Sequence, residues 1–214
     1  MILSITGFMG CGKSSVGRRL SELLCCSFID LDDVIAEREG RSIPEIFATE
    51  GEAAFRQMEL EALKAVLKDG GMERVWKQSL PSHSAMGPSL CGQRGSTVSK
   101  PSPCHPESER HTNNDIVLAL GGGAVMTEAC ALMVREKTFC VYLRASVDTL
   151  VEHLAGEAAG RPMLADADLR TRIETLMQQR SATYEKTAHV TIDTDGKTIE
   201  AIASDIISIT AKLS

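Results

Sequence analysis

The stretch Gly7-Phe8-Met9-Gly10-Cys11-Gly12-Lys13-Ser14 matches G-x-x-x-x-G-K-[ST], the phosphate-binding P-loop. Its glycines let the backbone curl so that successive N–H groups face an anion. A helix start after the loop adds partial positive charge. Lys13 can reach β- and γ-phosphates, and the Ser14 hydroxyl can hold Mg²⁺. Asp30 and Asp32 form a second group, two acids close to a strand end. Such a pair suits metal–water ligation and deprotonation of a hydroxyl; Asp32 as a plain helix cap is the other reading. Arg56 has Glu59 three residues on, a spacing that could hold a guanidinium in place, or it is a solvated helix charge. Arg161, among small residues, looks like a lid arginine closing on phosphate, and Arg180 like a carboxylate binder. Gly121-Gly122-Gly123 either lets a ligand approach the backbone or simply ends a strand.

These residues need elements to position them, and the hydrophobic pattern supplies them. Ile2, Leu3 and Ile5 predict a strand before the loop, and Val16, Leu20, Leu23 and Leu24 an amphipathic helix after it. Ser27–Asp30 reads as the second strand, followed by a helical pattern through Arg38. Ser42 and Pro44 signal a helix start, Gly51 a break, and residues 52–68 a longer helix with Phe55, Leu60, Leu63, Val66 and Leu67 as its apolar set. Ile116–Leu120 and Thr138–Leu143 are continuous apolar runs, typical of strands buried on both faces. Helices are predicted from Thr127 to Glu136, from a Ser146 cap to Leu154, and from Asp168 to Thr187. A fifth strand, His189–Asp193, precedes a closing helix marked by Ile199, Ile202, Ile206 and Ile207. Strands alternating with helices predict an α/β fold, a five-stranded parallel sheet flanked by helices. Its ligands should gather beyond the carboxyl ends of the strands.

Residues 71–114 break the pattern. They are rich in Ser, Pro, Gly, His and Asn, and beyond a possible helical turn at Met72–Gln78 they read as a disordered surface insertion in one 1–214 domain. Composition narrows the function classes. Hydrophobic content of 43% with only 4% aromatics predicts an aliphatic core, and a net charge of -6 argues against a nucleic-acid binder with a broad basic face. Seven cysteines, an odd number without paired C-x-x-C spacing, argue against a disulfide framework or a zinc site. Cys25, Cys26 and Cys140 are expected in the core. No apolar run is long enough to span a bilayer, so no membrane partner and a cytoplasmic location are expected.

Taken together the motifs resemble the shikimate kinases, a P-loop family similar to the nucleoside monophosphate kinases. The resemblance covers residues 1–69 and 116–200. It rests on Gly7 to Ser14, Asp30-Leu31-Asp32, Gly40-Arg41-Ser42-Ile43, Ile46-Phe47, Gly51-Glu52, Phe55-Arg56, Leu120 to Gly123, Arg161-Pro162-Met163-Leu164, and Arg180 with Tyr184. It implies a three-layer P-loop kinase fold with a lid at 154–166, and transfer of the ATP γ-phosphate to the 3-hydroxyl of shikimate with Mg²⁺, by a monomer. The resemblance implies that Gly10, Cys11, Gly12, Lys13, Ser14 and Ser15 hold the ATP phosphates, helped by Arg161 and Lys197. Lys13 and Arg161 would also stabilise the charge on the transferring group. Ser14 and Asp30 would hold the metal, and Asp32 would act as base and bind the shikimate hydroxyls. Arg56 and Arg180 would grip the carboxylate, Gly122 would offer its backbone, and Tyr184 would be structural.

Two departures stand out. The family's adenine-stacking arginine falls here at Leu154, next to His153, and the 71–114 insertion has no counterpart in the pattern. The alternatives are another small-molecule P-loop kinase, such as one resembling gluconate kinase, and a nucleotide-binding protein without catalysis. Paired arginines and a triple glycine speak against the first. Intact Lys13, Asp32, Arg56 and Arg180 speak against the second.

Overall fold

The computed structural model describes residues 1–68, 115–155 and 169–212. Arg161, most of the 154–166 lid, the 71–114 insertion, Met72–Gln78, and Cys91 and Cys104 lie outside the described residues. The described chain runs β1 (Ile2–Thr6), α1 (Lys13–Leu23), β2 (Ser27–Asp30), α2 (Leu31–Glu39), α3 (Ile43–Lys68) and β3 (Ile116–Ala119). It continues through a 3₁₀ turn (Ala124–Met126) to α4 (Glu128–Lys137), β4 (Phe139–Arg144), α5 (Val147–Leu154), α6 (Leu169–Thr187), β5 (Val190–Asp193) and α7 (Ile199–Thr210). The five strands form one parallel sheet in the order β2-β3-β1-β4-β5.

The order explains the composition. β3 and β1 are inner strands covered on both faces, so every residue of Ile116–Ala119 is buried, and β1 buries two polar residues, Thr6 and, in its middle, Ser4. The Ser4 hydroxyl pairs with Thr138 Oγ1 at 2.6 Å, and Thr138 in turn donates to Val134 O, which satisfies both groups in an apolar setting. β5, at the edge, is half exposed. The register aligns Asp30 with Ala119 and Thr6 with Tyr142. The segments that follow β1, β2 and β3 therefore emerge side by side, which brings the P-loop, the acids and the three glycines together.

Local signals behave as their chemistry requires. Ser42 and Glu45 form a reciprocal capping box at the start of α3, with Ser42 N–H donating to Glu45 Oε2 at 2.8 Å. Gly51 kinks that helix with φ 78°, a conformation in the left-handed region that favours glycine. Ser146 caps α5 by accepting from Thr149 N–H.

Two core expectations are corrected. Leu23 and Leu24 are 45% and 39% exposed, because the buried stripe of α1 is Val16, Gly17, Leu20 and Ser21. Gly17 belongs to it because a Cβ there would stand 2.5 Å from the Phe28 ring. Leu24 is already the C-cap and the chain then reverses, so the last apolar pair overhangs the packed face. Cys25 sits in that reversal with φ 50° and is exposed, whereas Cys26 and Cys140 are buried.

Candidate active site

The P-loop links β1 to α1. Gly10 and Gly12 adopt φ of 81° and 88°, so the loop uses glycine where an L side chain would be strained. Lys13 Nζ folds back to donate to Phe8 O at 2.9 Å. Ser14 Oγ donates to Asp30 Oδ2 at 2.6 Å, which joins the start of α1 to the end of β2. Cys11 is buried, and burial pushes its thiol pKa up, so it packs as an apolar residue. Ser15, one residue past the motif, is exposed on the first turn of α1.

The two acids divide their work. Asp30, not Asp32, is the N-cap of α2: its Oδ1 accepts from Asp32 N–H at 3.1 Å. Asp32 is therefore not the cap, and its buried Oδ1 has no protein partner. Burial, followed by the nearby charge of Asp30, pushes the Asp32 pKa up to about 6, with Lys13 opposing the rise. A carboxylate held near neutral pKa and short of a hydrogen bond suits a base that accepts a proton from a bound hydroxyl.

Arg56 is not a solvated helix charge. Its side chain is 17% exposed and reaches Glu59 Oε2 at 2.5 Å and Glu52 Oε1 at 2.9 Å. Glu59 is fully buried, and its Oε1 is also without a partner. Burial raises the Glu59 pKa to about 7, against the pull of Arg56 and Arg180. Arg180, on α6, is itself buried, so two guanidinium groups from different helices bear on one buried carboxyl. Glu59 is the member of this site that sequence reading undervalued. Its signal was legible, because position 59 falls in the apolar stripe that runs through Phe55, Leu63 and Val66.

The three glycines explain themselves in this setting. A Cβ on Gly121 would stand 2.5 Å from Asp32 Oδ1 and 2.8 Å from Glu59 Oε1. One on Gly123 would meet the Arg56 guanidinium at 2.4 Å, and one on Gly122 would meet Met9 N at 3.1 Å. The backbone after β3 is thus the floor on which the acids and the arginine lie. The sequence pointed to all three glycines and the resemblance to Gly122 as the backbone contact; the structure gives Gly121 and Gly123 the tighter surroundings. The carbonyl of Gly122 accepts from the Tyr184 hydroxyl, and Tyr184 stacks on Tyr142 with centroids 5.2 Å apart. Replacing Gly121 with alanine is expected to separate the two carboxyls and lower kcat/KM for the acceptor at least tenfold, with the melting temperature read in parallel. Unchanged kinetics would show that the floor yields without effect.

Lys197 stands apart from this cluster. It follows β5, and its ammonium donates to Asp205 Oδ2 at 2.8 Å. Leu154 is fully buried and lies against Gly10, so it offers no face to an adenine ring. Its neighbour His153 touches the P-loop instead, with Nδ1 2.8 Å from Gly10 O.

Among the described residues, no group of three or more His, Cys, Asp or Glu could hold a metal by itself. The Ser14 hydroxyl and Asp30 carboxylate side by side are hard oxygen donors, a set that fits Mg²⁺, which keeps several waters and leans on substrate phosphates. Among the described residues, no helix is long and apolar enough to cross a membrane.

A family model described as shikimate kinase matches residues 9–73 and 108–211, and the break between them falls inside the segment read as an insertion. A shikimate kinase of Salinibacter ruber is 32% identical over 220 residues, covering 99% of this chain and 86% of that protein. One from Thermus thermophilus is 33% identical over 205 residues, covering 96% and 87%. The solved shikimate kinase of Acinetobacter baumannii, in complex with shikimate, superimposes with a TM-score of 0.76 at 24% identity, covering 100% of this chain and 94% of that one. The Aquifex aeolicus enzyme gives 0.66 at 24%, covering 100% and 98%. At these identities the structures speak for the fold alone, and they share the P-loop kinase architecture found here. With most of its length matched by the family model and relatives above 30% identity along nearly all of it, this chain belongs to the shikimate kinase family.

Proposed function

We propose that this chain transfers the γ-phosphate of ATP to the 3-hydroxyl of shikimate, giving shikimate 3-phosphate and ADP on the route to chorismate and the aromatic amino acids. The observation that carries the reading is one constellation: a P-loop beside a buried Asp32 whose Oδ1 has no protein partner, with Arg56 bonded to Glu59 and the charge of Arg180 bearing on the same carboxyl. A small polyol acid needs charged anchors to hold one hydroxyl in line with a phosphate. Arg56, whose second partner Glu52 is half exposed and can swing away, and the buried Arg180 are the two cations that can take up an anionic carboxylate. Asp32 then accepts the proton of the attacking hydroxyl. Lys13 leaves Phe8 O to stabilise charge on the transferring phosphoryl group, and the loop from Gly10 to Ser15 cradles the remaining phosphates. Ser14 and Asp30 would hold Mg²⁺, which when bound neutralises charge on the β- and γ-phosphates. Arg161, outside the described residues, and Lys197, once released from Asp205, are the further nucleotide contacts proposed. The 1–214 single domain, the 154–166 lid and a monomeric, cytoplasmic enzyme complete the reading.

The test is ADP release in a coupled assay with ATP, Mg²⁺ and shikimate, gluconate or no acceptor. Release with shikimate alone supports the reading. Release with gluconate would move the assignment to another small-molecule kinase, and none from folded, ATP-binding protein would move it to a non-catalytic role.

The pH dependence follows from the same acids. Asp32 must be unprotonated to act, so kcat/KM for shikimate should fall on the acid side of an apparent pKa near 6. Stability runs the opposite way. Both carboxyls hold protons in the fold more tightly than in the unfolded chain, at about 6 for Asp32 and about 7 for Glu59. Their contribution is therefore fully present below about pH 4 and is lost as pH rises through 6 to 7. Denaturant midpoints of wild type and Asp32→Asn between pH 4.5 and 7.5 check the sign. A wild-type curve no steeper than that of the variant would remove Asp32 from the account.

A further inference from the structure

We propose that His153 is a positioning residue for the nucleotide, pinning the Gly10–Cys11 peptide of the P-loop through its carbonyl. The proposal rests on the P-loop being a nucleotide cradle, as the proposed function has it.

His153 is an exposed residue in the last turn of α5, yet its ring turns inward to the loop, with Nδ1 2.8 Å from Gly10 O. A carbonyl can only accept, so the contact requires the proton on Nδ1 and leaves Nε2 as the ring's other polar edge. At the other end of the same peptide unit, Cys11 N–H donates to Phe8 O at 3.3 Å, a long bond shared with Lys13 Nζ on the same acceptor. The histidine therefore supplies the shorter of the two restraints on this peptide.

The position needs a restraint. Gly10 and Gly12, with φ of 81° and 88°, flank Cys11, and glycine is the residue for which backbone rotation is least hindered. Rotation of the Gly10–Cys11 peptide would turn a carbonyl dipole to where a phosphate must bind. Leu154 supports the same point sterically. A Cβ on Gly10 would stand 2.8 Å from Leu154 Cγ, so the end of α5 lies directly against the Gly10 Cα. Two successive residues of one helix thus hold one glycine, Leu154 by packing and His153 by its hydrogen bond. A site held to sub-ångström tolerance needs such outer support for the atoms that touch the ligand.

Asparagine can place an amide N–H near where Nδ1 stands, whereas alanine cannot. In His153→Ala, the KM for ATP and the dissociation constant of ADP, measured by calorimetry, are expected to rise about tenfold, which is about 1.4 kcal/mol at 25 °C. The KM for shikimate and kcat should stay within about twofold, and the melting temperature should barely move. His153→Asn should recover most of the ADP affinity. Ring ¹⁵N–¹H spectra of the wild-type protein should show His153 protonated on Nδ1. Unchanged ADP affinity in His153→Ala, an Asn variant no better than Ala, or an Nε2–H tautomer would each overturn the proposal. The ADP arm needs no acceptor. Wild type that binds ADP but does not phosphorylate shikimate would therefore defeat the proposed reaction while this arm still decides the role of His153.

Discussion

Asp32→Asn is expected to lower kcat by about 10²–10⁴, the range that a positioned general base contributes, while ADP binding and the fold persist. The amide has the size and shape of the carboxylate, so the pocket against Gly121 stays filled. It has no capacity to take a proton, so the attacking hydroxyl loses its acceptor. The stability outcome separates a catalytic from a structural role. In wild type the Asp32 Oδ1 is buried without a partner, facing the same glycine as the unpartnered Glu59 Oε1. An uncharged amide relieves the desolvation of a second buried acid, so the variant should be at least as stable as wild type at pH 7. Steady-state assays, ADP titration and thermal melts together make the test. Near-normal turnover would remove Asp32 from the base role.

Arg56→Ala is expected to lower kcat/KM for shikimate by about 10²–10³, mainly through KM. A hydrogen bond to a charged group contributes about 1.5–3 kcal/mol, and 1.4 kcal/mol is tenfold, so two such bonds to a carboxylate reach that range. Arg56→Lys should recover little, because an ammonium cannot present the planar fork that a carboxylate matches. The variant also deprives Glu59 of its bonded partner. Breaking a buried pair commonly costs 3–5 kcal/mol, but Glu59 titrates near 7 and can take a proton, so a loss of about 1–3 kcal/mol is expected. ATP affinity should be untouched. An unchanged KM for shikimate in Arg56→Ala would detach this arginine from the acceptor site.

Much of this was legible because it is written in local order. The P-loop needs glycine at positive φ, a lysine and a hydroxyl at set offsets, and all are consecutive. Strand and helix type followed from apolar runs and caps such as Ser42 and Ser146. What failed locally did so at packing limits. Leu23 and Leu24 have the right periodicity but lie where the helix leaves the body of the protein, and Cys25 sits in the reversal. Periodicity describes which way a side chain points, not whether anything stands there to cover it.

By itself the sequence determined the fold class, the phosphate-binding loop and the identity of the charged residues that could meet an acidic acceptor. Each of those is carried by residue type and short-range spacing. Only the tertiary structure decided how they combine. It assigned the helix cap to Asp30 and left Asp32 free, because the end of β2 points one carboxylate at α2 and at Ser14. It bonded Glu59 to Arg56 and brought the charge of Arg180, far away in sequence, to bear on the same carboxyl, and it made Gly121, Gly122 and Gly123 a floor on which a Cβ would crowd the acids, Met9 or Arg56. It also set His153 against Gly10, a contact across 143 positions of chain. Burial, proximity between distant segments and the resulting shifts in acidity are products of the sheet order β2-β3-β1-β4-β5, and no spacing within one segment encodes them.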